Sequence, residues 1–196
     1  MTAIIAPGAG IIFMKVGTHA QETLEDIIER KKKEIRDAGF ALWGYGGNTC
    51  HPNSMVQPFA KSYEKKGSEI FLCMQEMDSR HFATPVRADQ SSPDGINWKD
   101  IPKAVNVLGS RYALVIKDLE KQEFDLPLKQ TRVAVGNSIG RAGDLYISGR
   151  VDKACLEVLD EADVAASDKK AIHIGLVAKL ADPYAVFLRN RPKADD

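Results

Sequence analysis

The residues with the most chemical potential sit together in the segment Leu42-Trp43-Gly44-Tyr45-Gly46-Gly47-Asn48. Two aromatic rings beside three glycines offer flat apolar faces with little steric cover, and the Asn48 amide carries both a donor and an acceptor. That combination suits a planar heterocycle, stacked on a ring and hydrogen-bonded at its edge. Trp98 offers a second wall. The same residues also have a plainer use, in which the tryptophans anchor a core and the glycines only permit a tight turn. Cys50-His51 follows directly. It is the most suggestive nucleophile and base pair in the chain, because a reactive thiolate needs a nearby imidazole. Adjacent residues seldom face each other, no third orienting group is identifiable, and a buried inert thiol is the simpler reading.

Other chemistries find less support. Lys15 and Thr18 are three residues apart, and Glu69 or Glu76 could supply an acid, a set from which a threonine nucleophile is conceivable. Against this, Thr18 stands where a helix cap is expected and Lys15 where a strand ends. His19, His51, His81 and His173 show neither HExxH spacing nor a CxxC partner, so no metal site is expected. There is no Walker A loop, and the early Gly-Ala-Gly lacks the third glycine of a dinucleotide fingerprint. No cofactor is expected. Asp78, Arg80 and His81 either line a pocket mouth or form an ordinary charged turn, and the turn is favoured.

Elements must position these residues. Ile11 to Val16 is a short apolar run that reads as a buried strand. Thr18 and Gln21 have capping-box spacing, and Leu24, Ile27, Ile28 and Ile35 recur at helical intervals before Gly39 stops the helix. Its acidic first half and basic second half complement the helix dipole and allow Asp26–Arg30 and Glu29–Lys33 pairs. Phe40 to Trp43 is a short strand, and a second helix starts between Asn53 and Pro58, runs to Lys66 and ends at Gly67. From Glu69 onward strands dominate: IFLCMQEM, FATPVRA, RYALVIKDL, TRVAV, KACLEVL, and IHIGLVAKL with YAVFLR. Ala181-Asp182-Pro183 reads as the turn of a C-terminal hairpin. Two front helices and six or seven later strands imply an α+β chain with a mainly antiparallel curled sheet, flanked by two or more helices.

Bulk properties narrow the function. In 196 residues, 27 Lys and Arg balance 27 Asp and Glu, which argues against duplex nucleic acid gripped mainly through phosphates and leaves a single base or nucleotide open. That length reads as one domain, 1–196. Three scattered cysteines make no disulfide framework and fit a reducing compartment, so a cytoplasmic protein is expected. The opening residues lack a basic region and are broken by Pro7, Gly8 and Gly10, so neither a signal peptide nor a membrane span is expected.

The order of these features resembles the PUA-like superfamily, most closely its EVE and YTH branch of base-recognising domains. FMK at 13–15 resembles the EVE opening strand that ends in Lys, and LEDI at 24–27 resembles its following helix. Trp43-Gly44 with Asn48 resembles the Trp-Gly and Asn ahead of the second helix. KKGSEIFLCM at 65–74 resembles the entry into a barrel strand, and VRA at 86–88 with RYALVIKDLEKQEFDLPL resembles the next strands and crossing segment. The similarity covers residues 11–135, with 136–196 as a C-terminal strand extension. Val16-Gly17-Thr18 replaces the usual Ser-Glu-Pro, and Ser68 stands where Asp is typical. The resemblance implies a half-open barrel with a pocket for one modified base or nucleotide, Lys15 and Thr18 on its floor, Trp43 and Asn48 on its wall and Trp98 near its rim.

The favoured reading is therefore a non-catalytic binding module for a modified base, alone or in nucleic acid, or for a nucleotide-like small molecule, its pocket lined by Lys15, Thr18, Trp43, Gly44, Tyr45, Asn48 and Trp98. One alternative is an ASCH-type hydrolase of a modified nucleoside. Another is a homodimeric interaction protein joined through the C-terminal hairpin, since exposed strand edges pair readily.

Overall fold

The computed structural model describes residues 4–47, 49–81, 83–147, 151–160 and 171–192. In chain order these residues form β1 (Gly10–His19), α1 (Leu24–Ala38), β2 (Ala41–Tyr45) and a π-helical turn (Pro52–Val56) leading into α2 (Gln57–Glu64). Then come β3 (Phe71–His81), β4 (Gln90–Ser92), β5 (Lys99–Asp100), β6 (Tyr112–Leu126) and β7 (Thr131–Val133), and last α3 (Gly143–Tyr146), β8 (Lys153–Val158) and β9 (Ile172–Arg189). The described strands join one sheet in the order β2-β6-β9-β3-β1-β8-β7, with β4 on β9 and β5 on β4. Its two ends do not meet. β1 and β3 run parallel and the other pairs antiparallel, so the α+β class and antiparallel character read from the sequence agree with the structure.

Alternation along the strands gives the sheet two apolar faces. One face carries Ile12, Leu72, Leu114 and Trp43 and is covered by α1 and α2 through Ile27, Ile28, Phe59 and Tyr63. The opposite face splits in two. Ile11, Phe13, Leu126 and Leu156 lie with Leu128 and Ile147, while Leu42, Ala113, Val115 and Val186 lie under Ala88, Ile101, Val105 and Val107. The two long helices thus cover one side, and a 3-10 turn at Leu128–Gln130, the short α3 and irregular chain cover the other. Among the described residues no helix is long and apolar enough to cross a membrane.

Helix α1 starts later than its capping-box spacing suggests. Thr18 is still extended within β1, and the chain turns through Ala20 and Gln21, both at positive φ, under a His19–Glu22 bridge. Thr23 is the cap, its Oγ1 accepting from Asp26 N–H at 3.2 Å. Gly39 ends the helix as expected, at φ 83° with its N–H donated to the Ile35 carbonyl. The expected Asp26–Arg30 and Glu29–Lys33 pairs are replaced by Arg30 with Glu22 and Glu34, and Lys33 with Asp37. The reason is tertiary: Arg30 Nη1 and Lys31 Nζ both donate to the Asn106 carbonyl at 2.5 Å. Lys31 and Glu34 are each about 3% exposed in their side chains and pair at 3.1 Å, and burial lowers the Lys31 pKa to about 8.

The hairpin expected at 181–183 does not form. β9 runs on through those residues and stays paired with β6 from Leu126–Ile172 to Tyr112–Phe187, absorbing them in a register shift. The turn residues make a bulge instead. β9 also pairs with β3 through Leu176–Lys179, so that stretch of IHIGLVAKL lies inside the sheet. Among the described residues of FATPVRA, 83–88, the sheet pairing is one bridge, Arg87 to Leu108, in place of a strand.

Candidate ligand-binding site

Trp43 and Tyr45 project from β2 onto the helix-covered face, opposite Leu114 and Tyr112 of β6. Trp43 is 4% exposed and belongs to the main core. Gly44 between them is required by close packing: a Cβ there would stand 2.3 Å from Ser110 Oγ and 2.9 Å from Ser110 Cβ. Tyr45 is buried and donates its hydroxyl to the Cys50 carbonyl at 2.6 Å, and burial pushes its phenol pKa far up. These residues are packed without space for a ring. The described void beside Tyr45, Cys50, Met14, Leu114 and Lys153 measures about 10 Å³, the scale of one water.

The aromatic row does not stop at Tyr45. Its ring meets Tyr112 at 5.8 Å, Tyr112 meets His51 and Phe187 at 5.7 and 5.6 Å, and His51 meets Phe187 at 5.2 Å, mostly edge to face. Two residues along β9, on the same face as Phe187, Arg189 places its guanidinium carbon 4.1 Å from the Trp98 ring centroid. Arg189 Nε donates to Gln90 Oε1 at 3.0 Å, which fixes the fork against β4. The row therefore grades from buried (Trp43, Tyr45, Tyr112) to half-buried (His51, Phe187, Arg189, Trp98).

A loop and a helix frame the open end. Asp94 accepts from the backbone N–H groups of Ile96 and Asn97, from Ser92 Oγ and from the Asn97 amide, and those bonds, the backbone ones first, hold its carboxyl far below the usual range. The loop so tied lays Gly95 against the Phe187 ring. Gln57 donates its amide to the Pro93 and Ala185 carbonyls at 2.7 and 2.8 Å, joining α2 to that loop and to β9. From Gln57 an open depression of about 590 Å³ runs along α2, lined by Asn53, Pro58, Lys61, Lys65 and Lys66. Its volume is in the range of small-molecule sites. Lys61 lies about one turn beyond Gln57 and Lys65 about two, and with Lys66 they place three cations on the depression in a chain of zero formal charge.

The sequence-derived site residues are thus divided. Trp43, Gly44 and Tyr45 share the buried end of the row and Trp98 its open end. Lys15 and Thr18 are half-buried on β1, which is not hydrogen-bonded to β2, although its Met14 borders the same small void as Tyr45. Asn48 lies outside the described residues. Glu69 pairs with Lys179, and Glu76 is exposed opposite Val16. Asp78, Arg80 and His81 belong to β3 and not to a turn, and the side chains of Arg80 and His81 lie outside the described residues. Cys50 and His51 face apart: the thiol meets Cys155, while the imidazole meets Tyr112, Phe187 and Ser54 Oγ. Among the described residues no three His, Cys, Asp or Glu side chains gather as a metal site. Sequence reading missed Phe187, Arg189, Gln57 and the α2 lysines; the i, i+2 spacing of Phe187 and Arg189 in a strand was the available signal.

No family model, no curated protein and no solved structure matches this chain.

Proposed function

We propose that the protein is a non-catalytic binding module for a nucleotide-like small molecule or a single modified base, carried on a PUA-like half-open sheet. The observation that supports this most is the Arg189–Trp98 stack at the open end of the aromatic row, beside the lysine-lined depression on α2. A heterocycle stacks on half-exposed indole, imidazole or phenyl faces whatever its sequence context, and a phosphate is drawn to Lys61, Lys65 and Lys66. Gln57 links the two halves. Zero net charge favours a ligand of nucleotide size over a long phosphate track.

The test is a titration with nucleosides, nucleotides and modified single-stranded oligonucleotides, followed by tryptophan fluorescence and thermal shift. Quenching and stabilisation are expected. Trp98→Ala should weaken binding roughly 5- to 150-fold, the equivalent of one stacked base. Lys61→Ala with Lys65→Ala should weaken nucleotides and leave nucleosides unchanged. Binding that persists unaltered in Trp98→Ala, or no response to any of these ligands, overturns the proposal.

A further inference from the structure

Cys50 and Cys155 are 105 residues apart in the chain, yet their Sγ atoms stand 3.8 Å from each other in the core under the helices. All three cysteines are free thiols, and Cys73 belongs to the cluster on the opposite face of the sheet. The two facing thiols are held unequally. Cys155 lies in β8, paired with Ile12 of β1, and its carbonyl accepts from Ala134 N–H at 2.9 Å. Cys50 lies in the turn between β2 and the π-helical segment, tied by the Tyr45 hydroxyl and bordered by the 10 Å³ void. Gly46, four residues before it, has open space where a Cβ would be.

We infer that Cys50 and Cys155 are an oxidative modification site, a reversible intramolecular disulfide made when the protein meets a low-molecular-weight disulfide such as oxidised glutathione. Cys50 loses its proton to solvent as the turn opens, and its thiolate attacks one sulfur of the oxidant. That S–S bond breaks, one small thiolate leaves, and a mixed disulfide stands on Cys50. Cys155 then loses its proton and attacks the Cys50 sulfur, expelling the second small thiolate. The protein gives up two electrons and two protons, and the oxidant becomes two thiols. The order follows from geometry, since Cys155 is locked into paired strands and Cys50 is not. A disulfide needs its sulfurs about 2.05 Å apart, so the Cys50 turn must move toward β8 and carry His51 with it. The bond itself does not depend on the ligand proposed above.

The experiment incubates the full chain with oxidised glutathione, then counts thiols after denaturation and maps the peptides. Titratable thiols should fall from three to one, and a peptide linking Cys50 to Cys155 should appear. The midpoint of thermal unfolding should rise on the order of 10 °C, because a loop of about a hundred residues is closed, and dithiothreitol should reverse it. Cys73→Ser should lose both of its remaining thiols in the same way. Survival of all three thiols, a lasting glutathione adduct, or a bridge that uses Cys73 or joins two chains would overturn the inference. The peptide map on the unmodified sequence keeps the test decisive even where Cys73→Ser fails to fold.

Discussion

Trp43 and Trp98 stand at opposite ends of one aromatic row and do opposite things. Trp43 is enclosed by α1, α2 and the sheet, and the glycine after it admits Ser110. Trp98 keeps a half-exposed ring against Arg189. Aromatic residues beside glycine look alike in sequence whether the space next to the glycine receives a ligand or another part of the chain. What occupies that space decides the role, and at Gly44 a serine from the far side of a long loop occupies it.

Four measurements would break or sharpen the contrast. Trp43→Ala should cost about 3–5 kcal/mol in urea unfolding, as an emptied core site, whereas Trp98→Ala should cost about 1 kcal/mol or less. Equal losses would erase the distinction. Gly44→Ala should cost about 1–3 kcal/mol through overpacking, most of it recovered by adding Ser110→Gly. A Gly44→Ala protein of unchanged stability would show that the glycine's space is empty.

The buried end should also report pH. The folded pKa of Lys31, about 8, lies below its unfolded value, so between pH 8 and about 10.5 the unfolded chain holds a proton that the folded chain has lost. Stability should therefore climb over that window, by on the order of 3 kcal/mol, and Lys31→Met should flatten the climb. Burial raises the pKa of Tyr63 and of Tyr184 to about 12, which lowers stability above pH 10, but equally in both proteins. The smallest effect belongs to the open end. Asp94→Ala should untie the 92–97 loop and shift Trp98 emission to longer wavelength in a Trp43→Phe background, with little change in unfolding midpoint. The Asp94 carboxyl titrates lower in the folded chain, so the stability it contributes is present above the ordinary carboxylate pKa and fades as the solution is acidified through the folded value.

Local rules made the helices and most strands legible. Gly39 marks the end of α1, α2 stops at Glu64, two residues short of the expected Lys66, and the apolar runs of β1, β3, β6, β8 and β9 read directly as extended chain. The failures have one origin, which is that pairing partners far away override local grammar. Thr18 has a capping pattern, but β3 holds it extended, and Thr23 takes over at the point where the backbone leaves the sheet. Ala181-Asp182-Pro183 has turn chemistry, but β6 continues past it and the residues bulge. The site suffers from the same distance problem. Trp98, Arg189, His51 and Gln57 come from four separate segments, and spacing within any one of them carries no sign of the others.

β9 is synthesised after every strand it touches, yet it fills the gap between β6 and β3. Until it emerges, a growing polypeptide holds two unsatisfied rows of amides and carbonyls with no neighbour to take them. The middle of the sheet is thus its last piece to be laid, and maturation in the cell must wait on it, exposed meanwhile to misassembly with other nascent chains.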